Sequence, residues 1–379
     1  MHPLDEITLH DCIIQRHYHG EHPDLDPTRQ VLTTEEASMR EFNSHIPEHM
    51  TAIEITRPGG PEVLVPVQRP TPKPGPGEVL VRVLAAGVNG PDVLQRKGLY
   101  NPPAGASDIP GLEISGEIVA LGSASSRFAI GDQVSALVPG GGYAEYAVAD
   151  ERTTLQLPKG LSLIEAAALP ETFMTVWVNL FQRGQFKQGE TLLIHGGASG
   201  IGTTATLLGK AFGAAKIITT VGNEEQRLAS LALGADLAIN YQQADFVEEV
   251  MKATDGRGVD VIVDIIAGDY VARNFQAAAI NGRIVQIGVI KGAAKELDLI
   301  PMLTKRLTHI GSTLRSRSPD EKAQIIEELE AQVWPLIRAG KIKPVIFQTF
   351  RLEQALHAHE LIDSGRHIGK IVLTSPQLG

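Results

Sequence analysis

Cysteine is almost missing from this chain: among 379 residues only Cys12 carries a thiol. A single thiol excludes a disulfide framework and any zinc site built on several thiolates. Long apolar runs are missing too, since no stretch reaches the roughly 18 uninterrupted apolar residues of a membrane helix. The N-terminus lacks the basic-then-apolar order of a secretory signal. A cytoplasmic protein with no membrane contact is therefore expected. Positive charge is in short supply: 34 Lys and Arg against 44 Asp and Glu leave a net charge of -10. That balance argues against a nucleic-acid partner, which needs a basic footprint. What is present is apolar material, 43% of the residues, enough for two cores in a chain too long for one.

The negative charge is unevenly placed. Residues 1–49 hold ten Asp and Glu against three Lys and Arg, a net of -7, and seven of the twelve histidines. Polar residues and prolines interrupt every apolar run there, so an irregular acidic extension is expected over 1–49. His17, His19 and His22 lie close together in it, but exposed histidines without preorganised geometry make a poor metal site.

From Met50 the pattern becomes β-like. Residues 51–56 and 62–67 alternate around Pro58-Gly59-Gly60, the signature of a hairpin. Strands are predicted at 78–88, 109–121, 133–138 and 143–148, separated by glycine and proline, and a small barrel is the expected form. Residues 162–181 read as helical. After them, strands at 191–195, 216–221, 237–240, 259–266, 283–289 and 309–313 alternate with helices at about 201–212, 224–233, 246–253, 270–280 and 299–307. That alternation predicts a parallel doubly wound sheet. Ser318-Pro319-Asp320-Glu321 is a capping box that opens a helix closed by Gly340. The strand–helix–strand tail is too small to bury its own apolar face, so it is expected to rejoin the first domain. The expected fold class is α/β, with a barrel-like domain over 50–170 completed by 341–379 and a doubly wound domain over 171–340.

The predicted strand 191–195 runs directly into Gly196-Gly197-Ala198-Ser199-Gly200-Ile201-Gly202 and then a helix. Small residues let the backbone approach a pyrophosphate, and the helix N-terminus offers free N–H groups and partial positive charge. A glycine cluster alone is a weak signal; strand–turn–helix context with five more alternating strands makes it strong. Gly197, Ala198, Ser199, Gly200, Ile201 and Gly202 are the candidate cofactor loop. The second strand ends in Thr220-Val221-Gly222-Asn223. No carboxylate stands at Val221 or Gly222 to hold ribose hydroxyls as an NAD site does, which favours NADPH. Gly222 lies at that strand end, and Arg227 and Tyr241 are candidate 2′-phosphate partners. Glu224 and Glu225 count against this, although acids in a first helical turn also have a structural reason to be there.

Ordered along the chain are Asn89-Gly-Pro-Asp92, Gln95-Arg-Lys-Gly-Leu-Tyr100, Pro110-Gly-Leu-Glu-Ile-Ser-Gly116, Leu137-Val-Pro-Gly-Gly-Gly-Tyr-Ala-Glu-Tyr146 and Ala167-Ala-Leu-Pro-Glu171. They are followed by His195-Gly-Gly-Ala-Ser-Gly-Ile-Gly202 and Ile368-Gly-Lys-Ile-Val-Leu373. As a series over about residues 50–375 these motifs resemble the medium-chain dehydrogenase/reductase superfamily, in its zinc-free, zeta-crystallin-like quinone oxidoreductase branch. The resemblance implies a GroES-like barrel domain, a Rossmann domain, NADPH in the cleft between them and a homodimer. It places the ligands of the family's zinc enzymes at Asn89, Leu112 and about Glu171, none a thiolate or imidazole. Without a Lewis acid, an electron-poor quinone is an easier substrate than an unactivated alcohol.

By the same resemblance Tyr100 is the substrate-site tyrosine and Asn89 faces the nicotinamide. Both have structural alternatives, Tyr100 as an anchor of the following loop and Asn89 as a turn residue. Asp92 reads more simply as a helix cap, and Tyr143 and Tyr146 as core. Thr175, Gly288, Leu314 and Arg315 are candidate cofactor or pocket residues, Arg315 equally a surface ion pair. Leu94 stands where some members carry a second tyrosine, which makes the pocket less polar. Two other readings stay open, an enone or enoyl-thioester reductase of the same fold and a non-catalytic NADPH-binding protein.

Overall fold

The computed structural model describes residues 46–122 and 127–376. The acidic extension up to residue 45, with Cys12, His17, His19 and His22, lies outside the described residues. The first described strand, His49–Ile55, pairs antiparallel with Leu64–Pro70 to form the expected hairpin.

A seven-stranded sheet follows. Its order is Ile346–Arg351, Lys370–Thr374, Glu78–Val88, Glu113–Leu121, Gln133–Leu137 and Thr154–Gln156, with Tyr146–Asp150 also paired to Glu78–Val88. The tail enters this sheet through Lys370–Thr374, antiparallel to Glu78–Val88. Two strands start later than their apolar patterns suggest. Residues 109–112 are not strand because Pro110 has no N–H and the Gly111 N–H is taken by the Asp92 carboxylate at 3.0 Å. The strand expected at 143–148 begins only at Tyr146, because the Tyr143 and Glu145 N–H groups donate to Pro110 O and Thr51 O.

The second sheet has six parallel strands in the order Leu237–Asn240, Lys216–Val221, Thr191–His195, Val259–Asp264, Ala278–Gln286 and Thr308–Gly311. This is the doubly wound Rossmann order, with Thr191–His195, the first of these strands in sequence, central and a switch point beside it. Its strands are apolar on both faces, with Leu192, Leu193, Ile194, Val261, Ile262 and Val263 fully buried, as helices on both sides require. Prolines divide two expected helices. Residues 162–181 resolve into Leu163–Ala166, Pro170–Val176 and a π-helical turn Trp177–Arg183. The helix opened by the Ser318 capping box ends at Gln332, and Trp334–Arg338 forms a separate piece around Pro335. Among the described residues no helix is long and apolar enough to cross a membrane.

Candidate functional site between the two sheets

The candidate cofactor loop is shaped by packing. Strand Thr191–His195 ends at Gly196, whose φ of 68° favours glycine. Helix Gly200–Ala211 is N-capped by Ser199, whose Oγ accepts from the Gly202 N–H at 3.0 Å. A Cβ on Gly202 would lie 2.1 Å from Gly196 O, and one on Gly197 would lie 2.6 Å from the Thr219 side chain. The loop therefore lies tight against its own sheet at the N-terminus of that helix. Beneath it His195 is fully buried, 3.0 Å from Thr220 Oγ1 and 2.7 Å from Asn274 Oδ1, and burial pushes its pKa down. The tail closes over the loop: the Gly369 N–H donates to Ala198 O at 2.7 Å. Ile201 packs partly buried against the neighbouring core.

At the end of the second strand the Gly222 N–H donates to Gln226 Oε1, and the Asn223 side chain caps helix Glu224–Leu233. Tyr241 and Gly222 come together, since a Cβ on Gly222 would lie 3.0 Å from Tyr241 Oη. Arg227 is not free: its guanidinium donates twice to Glu224, at 2.7 Å each. The acid set against NADPH by its position thus neutralises the residue proposed to favour it.

The cluster around Asn89 is buried and charged. Asn89 is the N-cap of helix Gly90–Arg96 in extended backbone, and Asp92 is its N3 residue, the partner in a capping box rather than the cap itself. Asn89 Nδ2 donates to Glu113 Oε1 at 2.9 Å, while its Oδ1 accepts from Lys370 Nζ. Lys370 Nζ and Glu113 Oε1 form an ion pair of 2.6 Å with 4% and 0% of their side chains exposed. Glu113 Oε2 accepts the Glu171 N–H, and Lys370 Nζ also donates to Val88 O. Glu171 itself is pushed up to about 8, by burial first and then by the neighbouring Glu113. Asp92 is raised to about 6 by burial, against hydrogen bonds from the Asn89 and Gly111 N–H groups. Tyr143 is core, as expected, and its hydroxyl donates to Asp92 and lies 3.1 Å from His359 Nε2.

Tyr100 and Arg315 come from opposite halves and meet, with the guanidinium carbon 5.1 Å from the ring centroid. Arg315 is not a surface ion pair. It is 7% exposed and donates to Gln95 Oε1 and Pro139 O. Leu314 is core: its side chain packs among the buried apolar residues of the nucleotide-binding half. Thr175 is buried in helix Pro170–Val176, and Gly288 lies beside Ile265, 3.0 Å from its carbonyl at the Cβ position. Sequence reasoning named Glu171 only as a position where the family's zinc enzymes carry a ligand, and did not single out Lys370, Glu113, Gln95 or Pro139. A signal existed for Lys370 and Glu113, an ionisable residue inside an otherwise apolar run, in Gly369-Lys-Ile-Val-Leu373 and Gly111-Leu-Glu-Ile114.

Comparison with known proteins agrees with this architecture. Residues 75–159 match the alcohol dehydrogenase GroES-like domain, and residues 233–373 match the zinc-binding dehydrogenase model. The chain is 32% identical to a quinone oxidoreductase of Rattus norvegicus over 86% of this chain and 97% of the relative. An Escherichia coli quinone oxidoreductase solved with NADPH superimposes with a TM-score of 0.77 at 30% identity, covering 86% and 99% of the two chains. A structure described as an NAD-dependent alcohol dehydrogenase is equally similar, at 33% identity and a TM-score of 0.77 over 86% and 99%. An oxidoreductase with a GroES-like domain and a parallel nucleotide-binding sheet, this chain belongs to the quinone oxidoreductase branch of the medium-chain dehydrogenase/reductase superfamily.

Proposed function

We propose that the protein passes hydride from NADPH to quinones and needs no metal. The observation that carries the reading is the Lys370 ammonium. It is hydrogen-bonded to Asn89 and ion-paired with Glu113, beside the positions where the family's zinc enzymes hold their metal. Asn89 has both ends of its amide engaged and Leu112 is an aliphatic core residue. These groups do not fit a divalent metal, which would have to sit beside a fixed positive charge without a thiolate or imidazole ligand. The residues do fit a dinucleotide: Gly197, Ala198, Ser199, Gly200, Ile201 and Gly202 offer the close backbone and helix N-terminus that a pyrophosphate needs. A bound reduced nicotinamide supplies the hydride. Tyr100 donates a hydrogen bond to the acceptor oxygen; partial burial raises its pKa, so at neutral pH the phenol keeps its proton. Tyr100 or solvent then provides the proton that completes the hydroquinone.

NADPH over NADH is supported by the carboxylate-free strand end at Val221 and Gly222 and by the Tyr241 hydroxyl beside Gly222. A 2′-phosphate there would compete with Glu224 for Arg227. In this reading residues 50–170 with 341–379 form the catalytic domain and 171–340 the cofactor domain. A cytoplasmic homodimer belongs to the same reading, the dimer through an edge of the parallel sheet. Between the last two strands of that sheet in sequence, Val289, Ile290, Ile300 and Leu303 are 62% to 74% exposed.

The test is oxidation of NADPH and of NADH with ortho- and para-quinones after chelator treatment, with crotonyl-CoA as a competing acceptor. Quinone turnover that survives chelation and prefers NADPH is expected. No turnover, loss on chelation, or faster reduction of crotonyl-CoA overturns the reading. The exposed Leu94 in place of a second tyrosine is the feature that would suit the enone or thioester alternative.

A further inference from the structure

Arg315 holds a charge that its surroundings only partly use. Its Nε and Nη2 donate to Pro139 O at 3.2 and 2.7 Å, and Nη2 also donates to Gln95 Oε1 at 3.0 Å. The Gln95 amide is oriented for this, because its Nε2 donates to Asp108 O. The backbone of Arg315 is held as well, since its carbonyl accepts from Lys322 Nζ at 3.1 Å. The remaining nitrogen, Nη1, is buried and has no hydrogen-bond partner. All the guanidinium's acceptors are neutral oxygens, and the residue as a whole is 93% buried by its 7% exposure. An unpaired charged donor in such a place is costly, and its persistence calls for a ligand atom.

The position says which ligand. Arg315 belongs to the nucleotide-binding half, yet every side-chain partner it has, including the Tyr100 ring 5.1 Å away, lies in the catalytic half. None lies on the loop 197–202 where a pyrophosphate would sit. We propose that Arg315 Nη1 donates a hydrogen bond to the carbonyl oxygen of the acceptor, the oxygen that becomes negative as hydride arrives, and so is a catalytic residue alongside Tyr100. The matching substrates are quinones and other conjugated carbonyl compounds whose two-electron product is a phenolate or enolate. The balance is simple: hydride from the reduced nicotinamide and one proton convert a quinone to its hydroquinone, through a monoanion whose oxygen faces Arg315. Arg315 is held against Gln95 and Pro139 before any ligand arrives, so little reorganisation is needed when charge develops. This role rests on the oxidoreductase reading above and replaces the cofactor contact expected of Arg315 from its place after the sixth strand.

The test uses a phenol that mimics the product anion and needs no turnover. 4-Nitrophenol is titrated by absorbance in the presence of wild type, Arg315→Gln and Arg315→Lys, with melting curves to check folding. The wild type should favour bound phenolate by about tenfold or more, a shift of about one pKa unit. Arg315→Gln should abolish that shift, and Arg315→Lys should keep part of it. With quinone, Arg315→Gln should lose about 100-fold or more in kcat/KM, with NADPH affinity unchanged. Three results overturn the proposal: no phenolate preference in the wild type, an unchanged titration in Arg315→Gln, or a loss of NADPH affinity as large as the loss of turnover. If the wild type reduces no quinone, the functional reading fails separately, and the nitrophenol titration still decides the role of Arg315. If Arg315→Gln does not fold, Arg315→Lys decides it: an undiminished phenolate shift in that variant also counts against the proposal.

Discussion

Replacing Glu171 by glutamine should make the protein more stable, and increasingly so as pH rises. The Glu171 carboxyl is pushed from its ordinary 4.5 up to about 8, by burial and then by Glu113, with Lys370 opposing. The sign follows from proton counts. Between these two values the unfolded chain gives up the Glu171 proton while the native state keeps it, so stability is lost as pH rises through that window. Over the whole span, about 3.5 units at about 1.36 kcal/mol each, the limit is about 5 kcal/mol. Glu171 is only partly shielded by its neighbours, with intermediate exposure, so solvent screening reduces the effect to about 2–3 kcal/mol. Glu171→Gln keeps the shape and removes the titration. Urea unfolding of both proteins from about pH 5 to about pH 8 isolates this group, because every other titration is common to both. The expected gain is under about 1 kcal/mol at the acid end and about 2–3 kcal/mol at the alkaline end. A difference that stays flat with pH refutes the placement of a protonated carboxyl in the cleft.

The buried pair of Lys370 and Glu113 should behave as a unit. Lys370→Met or Glu113→Gln alone should cost about 3–5 kcal/mol in urea unfolding, and the double variant much less than the sum; strict additivity would contradict the pairing. The apolar edge should hold two copies together: Ile290→Asp with Leu303→Asp, at positions 72% and 74% exposed, should give a folded monomer by light scattering. A wild type that is already monomeric would rule out this edge as an interface.

The fold was legible wherever a local pattern had one outcome. The parallel sheet follows from alternating apolar strands and helices, and the Ser318 capping box appears as its spacing requires. Where backbone donors are claimed by distant groups, periodicity misleads. The Gly111 N–H is held by Asp92, nineteen residues away in sequence, so an apolar run that reads as strand at 109–112 cannot join the ladder. Proline acts in the same way on the two divided helices, by removing a donor that a continuous helix would need. The site was half legible for a related reason. The glycine loop announces itself by residue type and by its place between strand and helix, whereas Tyr100 was reached only through the family resemblance. The partners of Arg315 lie 220 and 176 residues away, and only the folded chain brings them together.

The tail makes a long-range closure of the same kind. Strand Lys370–Thr374 pairs with Glu78–Val88 in the catalytic half, while Gly369, just before it, is hydrogen-bonded to Ala198 of the cofactor loop. Lys370 therefore stands at the point where the two sheets are tied. Its stem lies against Gly200, where a Cβ would come within 2.8 Å of Cδ, and its ammonium is buried on Glu113 and Asn89. A positive charge fixed there offsets Glu113 and lowers the cost of ionising Glu171 and Asp92. One buried lysine thus links the position of the cofactor loop to the protonation of the acidic groups across the cleft. A shift of the tail strand would move that charge away from both at once.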